Sequence, residues 1–504
     1  MKQITRNAAA SAGQVLASSV ILFALYRVIL DTLGADRLGI WSIVLATASA
    51  SRIAELGLSV SVTRFVAMYR ARKDDEAAGH AVQTAAVSIT ALLICTLPGA
   101  YVLLVELFDR LFVGEALNDA HDLLPYALIS LVFTAIAAVI QSGLDGCQRY
   151  DWRAFLVVAG QMLLLIAALW LTPKYGLIGL AWAQIGQGLM MVVVGWILLR
   201  RILPGLPKIP RKWRRGSFHE MFGYGLQFQL GSIAMMLFEP VTKALLGKFG
   251  GLSVAGYYDM ASRYVRNVRL LIVSANQVLV PAVAELNERN SQVLKDLYRA
   301  NLRMLFLFVM PLHALVAAWA PILSEIWIGR YESIFVLFSS TLALAWGLNV
   351  FASPAYFSNL GTGRVFWNTA AHVWMGMANA VMGLILGPSF GAAGILYGMG
   401  VTLLSGSALV VVGFHWEHKI AWRMILPREA IEVACSSIML VLAEYYIFHT
   451  LVSQSEAIRF LICLLLPFPI LGPALWRHPL RRPIQARIYN LLGKGTQFNK
   501  SPFF

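Results

Sequence analysis

Nine ionisable residues fall inside long apolar stretches of this chain: Arg27, Arg52, Glu55, Glu239, Lys243, Asp259, Arg263, Arg266 and Arg269. In lipid each costs about 2.5–3.5 kcal/mol on insertion scales, so such residues mark pathways or binding sites. Six are positive and three negative, a surplus of +3. Helical spacing allows three local pairs, Arg52 with Glu55, Glu239 with Lys243, and Asp259 with Arg263. Arg27, Arg266 and Arg269 then have no local partner. A cavity with surplus positive charge suits an anionic passenger. Phosphate or diphosphate fits best, because a guanidinium fork takes two oxygens at once.

Arg27, Arg52, Lys243, Arg263, Arg266 and Arg269 are therefore the candidate substrate-binding residues. Glu55, Glu239 and Asp259 are candidates for ion coupling, as is Asp145 at the inner end of the fourth span. Each has a plainer reading. Arg27 and Lys243 sit about six residues from the outer ends of their spans and can snorkel to the interface. Arg52 with Glu55 can be a structural pair, and each acid can serve a salt bridge. Spaced by three, Arg263, Arg266 and Arg269 cover about a third of a helix circumference. They can share one cavity wall but cannot all face lipid cheaply.

These charges need a membrane frame, and the composition supplies one. Of 504 residues, 58% are hydrophobic and 13% charged, against about 25% charged in soluble domains. Mean hydropathy is +0.68. Apolar stretches near the 20 residues that cross a bilayer read as spans 7–32, 38–63, 79–108, 122–146, 152–172, 176–200, 219–248, 252–281, 301–328, 333–358, 364–387, 391–415, 427–450 and 456–476. The expected fold is an all-α polytopic membrane protein of about fourteen transmembrane helices. Continuous apolar runs exclude a β-barrel. Ala8 to Ser11 precede the first apolar run, so that run reads as an uncleaved helix and not a signal peptide.

Of 41 Lys and Arg, 29 fall on the N-terminus, the even-numbered loops and the tail. Six lie on or beside odd-numbered loops (Arg37, Arg110, Lys174, Lys248, Arg330, Arg459) and six deep within spans, residues near span ends being counted with the adjoining loop. The positive-inside rule then puts both termini in the cytoplasm and makes the helix count even. Scattered in this way, the net charge of +15 sets topology and does not form a nucleic-acid-binding arm.

The chain also repeats at an offset of about 215 residues. Gly146, Arg149 and Trp152 match Gly361, Arg364 and Trp367. Tyr175, Gly176 and Gly179 match Phe390, Gly391 and Gly394. Arg27, Gly34 and Trp41 match Lys243, Gly250 and, after one gap, Tyr258. Six helices per repeat give two parallel lobes around a central cleft. The expected layout is an N-terminal lobe at 1–203, a basic cytoplasmic linker at 204–218 and a C-terminal lobe at 219–417. Two further helices fill 418–476, with a basic cytoplasmic tail at 477–504.

No P-loop, HExxH or nucleophile elbow is present. The four cysteines lack CxxC spacing, and no catalytic, metal or cofactor site is expected. A membrane polymerase or glycosyltransferase acting on lipid-linked sugars would need a catalytic domain or a sizeable external loop. The longest external loop, 109–121, offers little beyond Glu115 and Asp119. Prolines 98, 240, 281, 311 and 354 fall within spans. Gln141, Gln184, Gln187, Gln227, Gln229 and Asn276 either touch the passenger or join helices.

Several stretches resemble the polysaccharide-transporter (Wzx-type) branch of the multidrug/oligosaccharidyl-lipid/polysaccharide flippase superfamily. They are Leu38-Gly39-Ile40-Trp41, Glu55-Leu56-Gly57-Leu58 through Thr63-Arg64-Phe65-Val66-Ala67, Gly143-Leu144-Asp145-Gly146 with Gln148-Arg149-Tyr150, and Gly256-Tyr257-Tyr258 through Ala261-Ser262-Arg263. The resemblance spans almost the whole chain. It implies a flippase for undecaprenyl-diphosphate-linked oligosaccharides of O-antigen, capsule or exopolysaccharide type in a bacterial inner membrane, alternating around a cationic cavity. It implies membrane lipids and the polysaccharide polymerase and export machinery as partners. It also places Arg27, Arg52 and Arg266, or in the last case Arg263 or Arg269, where the superfamily's lipid II flippase has arginines. The rival within the superfamily is a drug or cation antiporter, typically of twelve helices with an acidic cavity.

Overall fold

The computed structural model describes residues 2–50, 57–230, 233–277, 291–421, 428–450 and 456–481. Among them there is no strand. The helices are α1 (Lys2–Ala50), α2 (Leu58–Ala71), α3 (Asp75–Leu111), α4 (Glu115–Gly146) and α5 (Tyr150–Ile202). Then come α6 (Arg215–Leu230), α7 (Ile233–Gly250), α8 (Leu252–Gln277), α9 (Ser291–Ala318) and α10 (Ala320–Ile328). The series ends with α11 (Ser333–Val350), α12 (Ser353–Thr362), α13 (Phe366–His418), α14 (Arg428–Thr450), α15 (Glu456–Leu465) and α16 (Pro467–Arg477).

Nine helical stretches among the described residues are long and apolar enough to cross a membrane. Two of them, α5 and α13, run for 53 residues. At 1.5 Å per residue that is about 80 Å, more than twice the ~30 Å hydrocarbon core. Each therefore holds two crossings, and the break is a glycine. Gly176 has φ 58° and ψ −135°, and Gly391 has φ 55° and ψ −139°, a conformation that a Cβ disfavours. Three residues on, a Cβ at Gly179 would stand 2.3 Å from the Leu171 carbonyl oxygen, and one at Gly394 would stand 2.6 Å from that of Leu386. The glycines repeated in the sequence thus build the same closed turn twice.

A second matched pair needs a shift of one residue. Gly34, the break inside α1, has φ 81°, but its counterpart with positive φ is Gly251 at 101°, not Gly250. Only the second glycine of that doublet takes the turn conformation. Five residues beyond each turn the backbones cross reciprocally. A Cβ on Gly39 would lie 1.8 Å from the Leu252 carbonyl oxygen, and one on Gly256 would lie 2.8 Å from that of Ala35. Small residues here admit the close helix approach that lipid-embedded packing relies on.

Three expected spans are each broken into two helices, α9/α10, α11/α12 and α15/α16. Pro321, Pro354 and Pro467 stand in the first two positions of the second pieces, where proline has no needed N–H to lose. Pro354 therefore starts a helix and does not sit within one. Pro98, Pro240 and Pro311 do lie inside helices, and Pro281 lies outside the described residues.

The chain divides into two compact units, Met1–Arg263 with Thr369–Thr402, and Tyr264–Asn368 with Leu403–Phe504. In the first, α1 packs on α4, α5 and α7, and α2 packs on α3, α4 and α6, around buried Leu58, Val62, Ile89, Val139 and Leu199. The basic stretch after α5 is strapped to α3. Gln83 Oε1 accepts from the backbone N–H groups of Arg211 and Lys212 at 3.5 and 3.4 Å, and Trp213 Nε1 donates to Ser88 Oγ at 3.0 Å. In the second unit α9 packs on α11 and α14, and α14 on α16, burying Ala314, Ala318, Leu440 and Leu471.

Candidate functional site

The helix packing of the first unit brings four intramembrane charges to one point. Tyr26 comes from α1, Glu239 and Lys243 from α7, and Asp259 and Arg263 from α8. Asp259 is 1% exposed. Its Oδ1 accepts from Lys243 Nζ at 2.6 Å. Its Oδ2 accepts from Arg263 Nε at 3.2 Å and from the Tyr26 hydroxyl. Lys243, itself buried, also meets Glu239 Oε1 at 3.1 Å. The Arg263 guanidinium lies 5.2 Å from the centre of the Tyr26 ring, within cation–π range.

Both local pairs expected from i,i+4 spacing therefore form. What spacing could not reveal is that Lys243 joins them, since it spans two helices. Two cations and two carboxylates sum to zero, and Asp259 has both oxygens occupied. A buried pair is tolerable in a low dielectric only when its remaining donors and acceptors are satisfied in this way. Tyr26 escaped the sequence reading because a tyrosine in an apolar helix signals nothing by itself.

Arg27, one residue on, was expected to have no local partner. Its Nε donates to Asp31 Oδ2 at 2.9 Å, and the side chain is 38% exposed. The i,i+4 relation was legible in the sequence. Arg52 and Glu55 lie outside the described residues, as do the side chains of Gln227, Gln229 and Asn276. Gln184 joins helices, its Nε2 donating to Ser130 Oγ at 3.4 Å. Asp145 is engaged by Arg153 at 2.9 Å.

In the second unit Arg269 stands in different company. Its Nη2 donates to Asn349 Oδ1 at 3.3 Å, and the guanidinium lies 4.2 Å from the centre of the Trp346 ring. Asn349 is held in turn, donating through Nδ2 to Ser407 Oγ at 2.7 Å. Arg269 Nε is buried without a hydrogen-bond partner among the described residues. No described carboxylate pairs with this guanidinium. Trp346 and Asn349, one turn apart on α11, fix it, and among the described residues its charge is not cancelled. Arg266 is half-buried one turn earlier on α8. A cation oriented by neutral groups and keeping an unused N–H is suited to an oxyanion. Nothing in local spacing pointed to Trp346 or Asn349.

A third cluster joins α10, α14 and α15. Arg459, counted with the loop that leads into the last span, lies within α15, buried, and its Nη2 donates to Glu325 Oε2 at 2.5 Å. Among the described residues no group of three His, Cys, Asp or Glu is placed to hold a metal ion.

Comparison with known proteins matches residues 99–331 to the family described as "Polysaccharide biosynthesis protein" and residues 11–171 to the MatE family. An inward-facing multidrug resistance MATE family transporter of the MOP superfamily has a similar structure. Its TM-score is 0.70 at 15% identity, over 80% of this chain and 94% of that one. The two family models match overlapping parts of the chain, and the transporter shares its fold. With its long apolar helices it is a multi-pass membrane protein. The lipid II flippase MurJ in an inward closed conformation is similar over 97% of this chain and 99% of its own, with a TM-score of 0.66 at 15% identity. A MOP superfamily transporter from Pyrococcus furiosus, described as having a binding pocket of reversed polarity, gives 0.54 at 16% identity over 81% and 95%. At such identities the structural likeness shows the fold alone. No curated protein matches the chain in sequence.

Proposed function

We propose that this chain is a flippase that moves a polyprenyl-diphosphate-linked oligosaccharide across a bacterial cytoplasmic membrane for polysaccharide synthesis. The observation that carries this reading is Arg269, whose partners among the described residues, Asn349 and Trp346, are neutral and whose Nε is unused among them. Such a cation asks for an anion from outside the protein, and a diphosphate supplies oxygens in the geometry a guanidinium binds. Arg266 and Arg269 on α8 hold the head group, with Arg27 and Arg52 contributing from the first two spans. Lys243, Arg263, Glu239 and Asp259 form a neutral hub that sets the helices beside them. The two six-helix lobes, at 1–203 and 219–417, alternate access to the head group, and the polyprenyl tail stays in lipid. Both termini lie in the cytoplasm.

Two further observations favour this reading. The polysaccharide biosynthesis family covers 99–331, which includes α8. The MurJ structure is matched along 97% of this chain, whereas the multidrug transporter leaves a fifth of it unmatched. A drug or cation antiporter would want an accessible acid, and Asp259 is occupied on both oxygens.

The test is the sidedness of lipid-linked oligosaccharide in cells with and without the protein, and with Arg269→Ala expressed at wild-type level. Loss of the protein is expected to trap the glycan on the cytoplasmic face, and Arg269→Ala to reproduce the trap. Glycan that reaches the outer face without the protein but is not polymerised would support the enzyme reading. An unchanged glycan with altered tolerance to toxic cations would support the antiporter.

A further inference from the structure

Glu444 lies on α14, outside the repeated helices, and the transport scheme above makes no use of it. It follows Leu440 and precedes Phe448 at helical spacing, and the three are 0%, 1% and 3% exposed in that order. Neither of its carboxyl oxygens has a hydrogen-bond partner among the described residues. Its polar neighbour is the thiol of Cys463 on α15, a weak donor. The nearby cation, Arg459, is committed to Glu325 and packs its guanidinium 4.6 Å from the centre of the Phe448 ring. Its Nε is buried and also unused. The guanidinium thus pairs with Glu325 and not with Glu444, while it and Glu444 both act on the Cys463 thiol between them.

Other ionisable groups on the packed elements stand further away. His313 of α9 lines a cavity of about 350 Å³ with Ser437 and Val441 of α14, and Ser437 is two turns from Glu444. On α16 the ionisable residue is Arg477, at its far end. Tyr331, before α11, stacks on Phe448 with ring centres 5.6 Å apart.

An ionised carboxylate in apolar surroundings without a partner is too costly to persist, and such a group neutralises instead. A hard metal ion would demand six or so oxygen ligands, and no acid cluster of that kind surrounds Glu444 among the described residues. We propose that Glu444 is a proton-binding site. It carries a proton while Arg459 is held by Glu325, and it releases that proton to solvent when Arg459 turns its free N–H to the Glu444 carboxylate and Glu325, left without its partner, takes a proton up. The exchange conserves charge within the membrane, because each carboxylate is either paired with the guanidinium or protonated. This gives the two helices beyond the repeat a coupling role that does not depend on the passenger.

The test uses full-length protein in lipid nanodiscs and infrared difference spectra taken across a pH series. Wild type is expected to show a protonated-carboxyl band at neutral pH that disappears at alkaline pH and is absent from Glu444→Gln. In Glu325→Gln the guanidinium is freed for Glu444, so the band should titrate at lower pH than in wild type. Carbodiimide labelling of the wild-type protein needs no variant, since the reagent attacks protonated acids in apolar sites. Mass spectrometry should find its adduct on Glu444 at neutral pH and not at alkaline pH. The proposal is overturned by a band unchanged in Glu444→Gln, by one that persists at alkaline pH, or by one that appears only when sodium is removed. A titration unaffected by Glu325→Gln overturns the exchange of Arg459. None of these outcomes depends on which substrate the protein carries.

Discussion

Replacing Asp259 with asparagine should destabilise the protein severely, and the size of the loss follows from the geometry. The carboxylate accepts from Lys243 on one oxygen and from Arg263 and Tyr26 on the other. An amide offers one oxygen and presents N–H groups where the second stood, so at least one donor loses its acceptor. The two cations are left with Glu239 alone. Removing one partner of a buried ion pair costs about 3–5 kcal/mol, a hundredfold or more in the folded-to-unfolded ratio. The assay is thermal inactivation of purified protein followed by size-exclusion chromatography, and the apparent midpoint should fall by several degrees or more. Adding Lys243→Met removes the excess cation, so the double variant should regain part of the loss. Coupling between contacting residues is typically 0.5–3 kcal/mol. Asp259→Asn with wild-type stability would refute the reasoning, as would singles whose losses simply add. Lost transport at unchanged stability would instead make Asp259 an ion-coupling acid.

Arg269→Lys should lose transport nearly as completely as Arg269→Ala, at least tenfold in the sidedness assay, because an ammonium lacks the planar fork and stacks poorly on Trp346. Gly39→Ala should sharply reduce the yield of folded protein, since the new Cβ meets the Leu252 carbonyl at 1.8 Å and backbone cannot move aside cheaply. Gly179→Ala and Gly394→Ala should behave alike, because each Cβ would collide with a carbonyl eight residues earlier, across the glycine break. Gln83→Ala removes the acceptor that straps Arg211 and Lys212 to α3. Trypsin added to inside-out vesicles should then cut there several times faster than in wild type.

The membrane-spanning character was legible because burial in lipid is written locally, as runs of apolar residues of a set length. Where they are described the spans map onto helix apart from short breaks, and the repeat could be read because its glycines serve local turns. Gly176 and Gly391 needed only their neighbours to be recognised as equivalent. The doublet Gly250-Gly251 defeated the match by one residue, because sequence cannot tell which of two adjacent glycines takes positive φ. Breaks at Pro354, Pro321 and Pro467 were missed for a similar reason, since a proline in an apolar run reads alike as a kink or as a first residue.

What sequence by itself determined, then, was the fold class and those charge pairs set by helical spacing, Glu239 with Lys243 and Asp259 with Arg263. Which cations are neutralised was decided only by tertiary structure. Lys243 reaches Asp259 across two helices, and Arg269 finds Asn349 and Trp346 some 80 residues away in the chain. Glu444 and Arg459 likewise acquire their meaning from three helices meeting. Spacing along one helix is settled by the periodicity of the backbone, whereas the sum of charge at a point in a membrane depends on every helix that arrives there.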